Sequence, residues 1–197
     1  MGSVVEVAPG LHRWTAWHEE WREDVGCVAV ETGDGLVLVD PLAPPPELGA
    51  PDHVLLTVYW HGRAAAVAGA ARVWASTRST GPLRNREIRV TDPFREGDDL
   101  PGGIEAIQTA RSSEVLYWLP DHRAVVVGDV LLGAGAKPNA TTERLRLCPE
   151  RWLGTATHED LREALAPLLE LPVESVLVSH GEPVLTGGAR ALATALA

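Results

Sequence analysis

Short apolar segments separated by polar turns fill the first forty residues and predict antiparallel strands, before longer apolar runs and helical pattern take over. Residues 4–7 alternate and predict a short strand, turned at Pro9-Gly10. Residues 11–17 predict a second strand, and the charged stretch 19–24 a loop. Apolar residues 26–31 and 36–39 flank Thr32-Gly-Asp-Gly35, which predicts a hairpin, because Asp-Gly supplies the positive φ a tight turn needs. Residues 54–58 are continuously apolar and predict a buried strand. That run passes through Tyr59, Trp60 and His61, breaks at Gly62 and enters an Ala-rich segment, residues 63–71, that predicts a helix. A strand handing over to a helix leaves a turn at the carboxyl edge of a sheet, where open α/β folds place ligand chemistry.

Further on, residues 73–76, 88–91 and 104–109 predict strands, with residues 78–86 a loop. Residues 115–119 and 124–127 predict a hairpin across Pro120-Asp-His-Arg123, followed by Gly128-Asp129. Residues 133–149 read as a loop. Leu161, Leu165 and Leu168 share one face of a helix predicted over 158–169, with Thr157 and Asp160 as a capping pair and Pro167 ending or kinking it. Residues 176–178 form a strand that runs into His180-Gly181. Residues 189–196 predict a terminal helix capped by Thr186. Two β-rich halves, each closed by helices, predict an α+β chain of two packed sheets with helices outside.

The 197 residues favour a single domain spanning 1–197. No apolar run approaches the roughly 20 residues of a membrane span, and the start lacks a secretory pattern, so a cytoplasmic location and no membrane partner are expected. A net charge of −10 argues against nucleic acid as a ligand. Cys27 and Cys148 have no metal-ligand spacing. Trp14, Trp17 and Trp21 recur within one segment and predict a shared surface or groove. Oligomeric state is not readable from the chain.

Leu36-Val-Leu-Val-Asp40, Thr57 after a buried strand, Gly128-Asp129 closing a hairpin and Val178-Ser-His180-Gly181 together resemble the metallo-β-lactamase superfamily, from about Val4 to Gly188. The resemblance implies a four-layer αββα sandwich, two mixed sheets flanked by helices. It also implies a metal centre, usually of zinc and in some members iron, that activates water for hydrolysis. In the family the signature Thr-His-x-His-x-Asp-His follows the strand. Here Val58 and Trp60 stand at the first two histidines, Gly62 at the aspartate and Arg63 at the third histidine, while His61 falls on a variable position. Arg111 stands at the later histidine. Asp129 and His180 alone keep their register.

Two ligands do not hold a catalytic zinc, which takes three protein ligands plus water. No metal is therefore expected, unless His61 turns inward to join Asp129 and His180 around one zinc or iron ion. Arg63 and Arg111 bring guanidiniums to ligand positions, which predicts that one of them pairs with Asp129 and replaces the ion's structural charge. Asp40 is expected to hold loop backbone. The leading expectation is a metal-free binding or regulatory module. It takes a small anionic molecule on Arg63, Arg111 and His61, with Tyr59 and Trp60 narrowing the pocket and Asp129 and His180 as the residual catalytic pair. The alternatives are a one-metal hydrolase and an interaction scaffold using the Trp-rich segment.

Overall fold

The computed structural model describes residues 3–63, 65 and 69–197. The first sheet has seven strands in sequence order: β1 (Val5–Ala8), β2 (Leu11–His18), β3 (Glu23–Thr32), β4 (Gly35–Val39), β5 (His53–Leu56), β6 (Arg72–Ser76) and β7 (Asp92–Phe94). Pairing is antiparallel from β1 to β4 and parallel from β4 to β7. The second sheet is built from β8 (Glu105–Gln108), β9 (Val115–Leu119), β10 (Ala124–Val127) and β13 (Ser175–Val178). Its first three strands are antiparallel, and β13 joins β10 in parallel. Both sheets are therefore mixed. A small hairpin of β11 (Leu131–Gly133) and β12 (Leu145–Leu147) stands beside them.

The period of two sorts each strand's side chains into separate cores. Val28, Val37, Val39 and Leu55 of the first sheet meet Val115, Tyr117, Leu119 and Val126 of the second in a central core. Cys27, Ala29, Leu38, Val54 and Leu56 point to the opposite face, against Leu83 of helix α1 (Thr80–Arg84). Leu116, Trp118, Val125, Val127 and Val176 face outward from the second sheet. They pack on Leu161 and Leu165 of α2 (His158–Leu165) and Leu192 of α3 (Gly188–Ala195). Helix, sheet, sheet, helix is the αββα sandwich. No helix among the described residues is long and apolar enough to cross a membrane.

Several sequence expectations need correction. Pairing next to β6 begins at Asp92 and not over residues 88–91, because Ile88 is drawn into the outer core against Gly62. The stretch 78–86 is not all loop but contains α1, and the loop 133–149 contains β12. Thr186 does not cap α3: Gly187 does, with no side-chain bond. The amides of Gly188 and Ala189 are already taken by the carbonyls of Glu174 and Val173, both at 2.8 Å, so the hydroxyl has nothing to satisfy. The capping box of Thr157 and Asp160 is formed, and α2 passes into a 3-10 turn over Ala166–Glu170, at Pro167. The helix expected over 63–71 falls partly outside the described residues.

The tryptophans of the N-terminal segment do not share a surface. Trp14 is buried in the outer core with its indole donating to the Leu42 carbonyl at 3.0 Å, whereas Trp17, on the other face of β2, is 51% exposed. Only Trp21 reaches the pocket described below. The scaffold reading thereby loses its contiguous surface.

Candidate metal centre

The carboxyl ends of β4, β5, β10 and β13 meet at one edge, together with the amino end of antiparallel β3. Backbone bonds join the two sheets there: Gly26 N donates to Ser179 O at 2.8 Å, and Val115 N to Thr57 O at 2.9 Å. The residues that follow these strand ends, Asp40, Thr57, Asp129 and His180, are therefore brought together. Gly128 permits this. A Cβ there would lie 2.6 Å from Thr57 Oγ1 and 2.8 Å from Glu114 Oε1, so only glycine lets the β10 end come so close.

Asp40 ends β4 in the left-handed region, φ 47°, a conformation aspartate tolerates. Its carboxylate accepts from Thr57 N at 2.9 Å and from the Thr57 hydroxyl, and its Oδ2 lies 2.7 Å from His61 Nδ1. Asp40 thus holds loop backbone, and it also aims His61. The turn Tyr59–Gly62 is 3-10, and within it His61 faces fully inward with no exposed surface.

Asp129 divides its two oxygens between two kinds of partner. Oδ2 accepts from the Trp60 indole at 2.7 Å and lies 3.6 Å from Arg111 Nη1. Oδ1 lies 3.0 Å from both His61 Nε2 and His180 Nε2. The His180 contact is a well-aligned hydrogen bond; the His61 Nε2 atom is buried without one. His180 Nδ1 is 3.0 Å from Glu23 Oε1. Burial alone would push the Asp129 carboxyl up, but the two imidazoles outweigh it and hold it well below the usual carboxylate range.

Arg111 is buried, and its closest partner is Glu114, at 2.7 Å. It reaches Asp129 from one side, as expected, while sitting 5.0 Å from the Trp60 ring centre. Its bond to Glu114 and its burial turn it away from a pocket ligand. Arg63 does not reach Asp129. Its guanidinium lies 4.9 Å from the Trp21 ring centre, and Nη1 donates to Asp40 O at 3.4 Å. Tyr59 and Trp60 pack edge to face at 4.6 Å and both line the pocket. That pocket, about 770 Å³, opens over Asp129 and His180 and is also walled by Trp21, Arg63, Arg86, Arg151 and Trp152. The 133–149 segment adds Lys137 and Pro138 to the wall without filling it.

Two residues, Glu114 and Glu23, escaped the sequence reading, and Trp21 was read as lining a surface or groove without being placed at this site. Glu114, fully buried, accepts the amides of Asp129 at 2.6 Å and Val130 at 3.0 Å. Glu23 backs His180, and Trp21 packs on both imidazoles with centroids 5.6 Å away. Glu114, three residues after Arg111 and just before an apolar strand, was the one available signal.

The donor set fits one divalent ion. One ligand atom from each of His61, Asp129 and His180 lies within 4.8 Å of the other two, and two imidazoles plus a carboxylate suit zinc or iron(II). The buried Nε2 of His61, without an aligned partner, points the same way. Each imidazole also has its Nδ1 against a carboxylate, the outer-shell arrangement that orients metal-binding histidines. On the other side of Asp129, Trp60 and Arg111 supply an organic donor and a fixed charge.

Stripped of any cation, the site makes a prediction about pH. Burial pulls the His180 imidazole down, but its contacts with Asp129 and Glu23 win and raise it from 6.5 to about 9. A raised basic group stabilises the fold fully below its unfolded value and loses that contribution as pH climbs through the folded one. Chelator-treated protein is therefore expected to lose about 3 kcal/mol from this group between pH 6.5 and 9. His180→Gln is expected to flatten that slope in urea titrations. An unchanged slope would place the titration elsewhere.

This architecture is the metallo-β-lactamase fold. Compared by structure, the chain is similar to a metallo-β-lactamase from Erythrobacter litoralis (16% identity, TM-score 0.72, 99% of this chain and 94% of that one). It is also similar to FIM-1 of Pseudomonas aeruginosa in its mono-zinc form (14% identity, TM-score 0.67, 99% and 93%). A third, TTHA1623 in a di-iron-bound form, is 23% identical (TM-score 0.61, 87% and 93%). Compared by sequence, the chain matches no family model and no curated protein.

Proposed function

We propose that this chain is a divergent member of the metallo-β-lactamase superfamily that holds a single divalent metal ion, zinc or iron, on His61, Asp129 and His180, and acts as a hydrolase on a small anionic substrate. The observation that carries this reading is the convergence of two carboxylate-backed Nε2 atoms on one Asp129 oxygen, each at 3.0 Å. An ion so held supplies an acidified water at neutral pH. The chain's own residues do the rest. Asp40 and Glu23 fix the two imidazoles, and Trp21 shields them from solvent. Trp60 donates to the second oxygen of Asp129 and the Arg111 charge lies 3.6 Å from it, which disfavours a second cation on that side. Arg63, Arg86 and Arg151 on the pocket wall favour an anionic substrate.

Protein purified without added metal is expected to carry close to one zinc or iron per chain by elemental analysis, and His61→Ala to abolish it. Glu23→Gln is expected to weaken the metal about tenfold through the His180 ring it backs. Substoichiometric metal after dialysis against zinc and against iron(II) would sink the reading.

One observation favours a metal-free alternative. As an imidazolium, His180 lies 3.0 Å from both Asp129 and Glu23 and offsets charge on both without an ion, beneath a pocket walled by Arg63, Arg86, Lys137 and Arg151. On that reading the protein is a non-catalytic module for the same class of anion, and the dialysis experiment separates the two.

A further inference from the structure

A second recess lies away from this pocket and shares no lining residue with it. It is a groove of about 530 Å³ between β12, α2 and α3. Its walls carry Arg144 and Arg146 from the hairpin, Arg162 from α2 and Arg190 from α3, over a floor that includes Leu145 and Leu147. We propose that this groove is a binding site for a small phosphorylated molecule, a diphosphate or a comparable polyanion with an apolar body.

The charge is anomalous for this protein. The chain has 17 basic residues and a net charge of −10, yet four of those cations converge here, and the one acid on the lining is Glu143. None of the four guanidiniums has a carboxylate partner among the described residues. Like charges gathered without counter-charge repel one another, and an incoming anion relieves that. Two of the forks are also held in place. Arg146 Nη2 donates to the carbonyls of Ala136 and Pro138, both at 2.9 Å, and Arg144 Nη2 to Thr186 O at 2.7 Å. Arg146 Nε and Arg162 Nε are buried with no acceptor. Fixed forks with free N–H groups match phosphoryl oxygens, which accept in several directions at once. Four of them exceed what a single carboxylate can use. The leucine floor offers cover for an apolar body, and a recess suits a discrete molecule better than an extended surface does.

Calorimetric titration of the full chain with pyrophosphate at constant ionic strength tests the site. One saturable equivalent beyond any taken up by the first pocket is expected, weakened about tenfold or more in Arg162→Gln/Arg190→Gln. Both substitutions lie on helix surfaces, and circular dichroism checks that the fold is kept. Any equivalent taken up by the other pocket is expected to weaken in Arg63→Gln and to survive the double substitution, so the two variants separate the sites. Absence of saturable binding up to millimolar pyrophosphate overturns the proposal. So does an isotherm that the double substitution leaves unchanged. Because the test reads neither metal nor hydrolysis, its failure leaves the one-metal reading untouched.

Discussion

Asp129→Asn is expected to lower the unfolding free energy by about 3–5 kcal/mol and to reduce bound metal to a trace. The cause is the number of donors that point at this one carboxylate. Trp60 Nε1 and Arg111 approach one oxygen, and two imidazoles approach the other. An amide has one acceptor and one donor end. Whichever way it is turned, its NH₂ faces either an indole N–H and a guanidinium, or two ring nitrogens. The volume barely changes, so the loss measures electrostatics and not a cavity. Arg111 keeps Glu114, which limits the damage on its side. His180 keeps Glu23 beside Nδ1 but loses the charged partner of its Nε2. Urea unfolding followed by circular dichroism gives the first number and elemental analysis the second. A change below about 1 kcal/mol would mean that the four donors tolerate an amide, and that Asp129 is not the hub of the site.

Much of the frame was legible because it depends on local periodicity. The apolar runs 26–31 and 36–39 about Asp34-Gly35 gave the β3–β4 hairpin, and the apolar run from Val54 gave β5, which ends at Leu56 and not at Val58. Strand ends followed by Asp40, Asp129 and His180 were readable as a site edge because each sits just past an apolar strand. The orientation of His61 was not. It occupies a variable position in the family register, and what turns it inward is the carboxylate of Asp40, 21 residues earlier, acting across the β4–β5 pair. Glu114 was hidden for a similar reason. Nothing at 114 itself predicts that the amides of Asp129 and Val130, 15 and 16 residues on, would converge on it. Contacts between strands of different sheets leave no periodic trace. The tryptophans show the converse failure. Spacing suggested one surface, but Trp14 and Trp17 lie on opposite faces of a strand, so pattern in sequence became separation in space.

Glu114→Leu is expected to cost about 3–5 kcal/mol, and Glu114→Gln about 1–3 kcal/mol less, because it keeps the two backbone N–H bonds although its NH₂ turns to Arg111. Glu114 is wholly buried, and its carboxyl is raised to about 7, by burial first and by the neighbouring Asp129 charge second, with Arg111 pulling the other way. Near neutrality the charged and neutral forms are therefore close in free energy, and glutamine imitates the neutral one. Its carbonyl can still accept from the Asp129 and Val130 amides, as Oε1 does now. Leucine accepts nothing. It strands two backbone N–H groups at the start of the Asp129 loop and leaves Arg111 with a 3.6 Å approach to Asp129 as its remaining ion pair. A guanidinium released in this way would pull on the Asp129 oxygen that Trp60 now holds, so the leucine variant is also expected to bind metal more weakly. Paired denaturation curves for the two variants decide the point. If glutamine proves as costly as leucine, the charge on Glu114 matters more than its acceptor geometry, and the burial argument for its raised pKa fails with it.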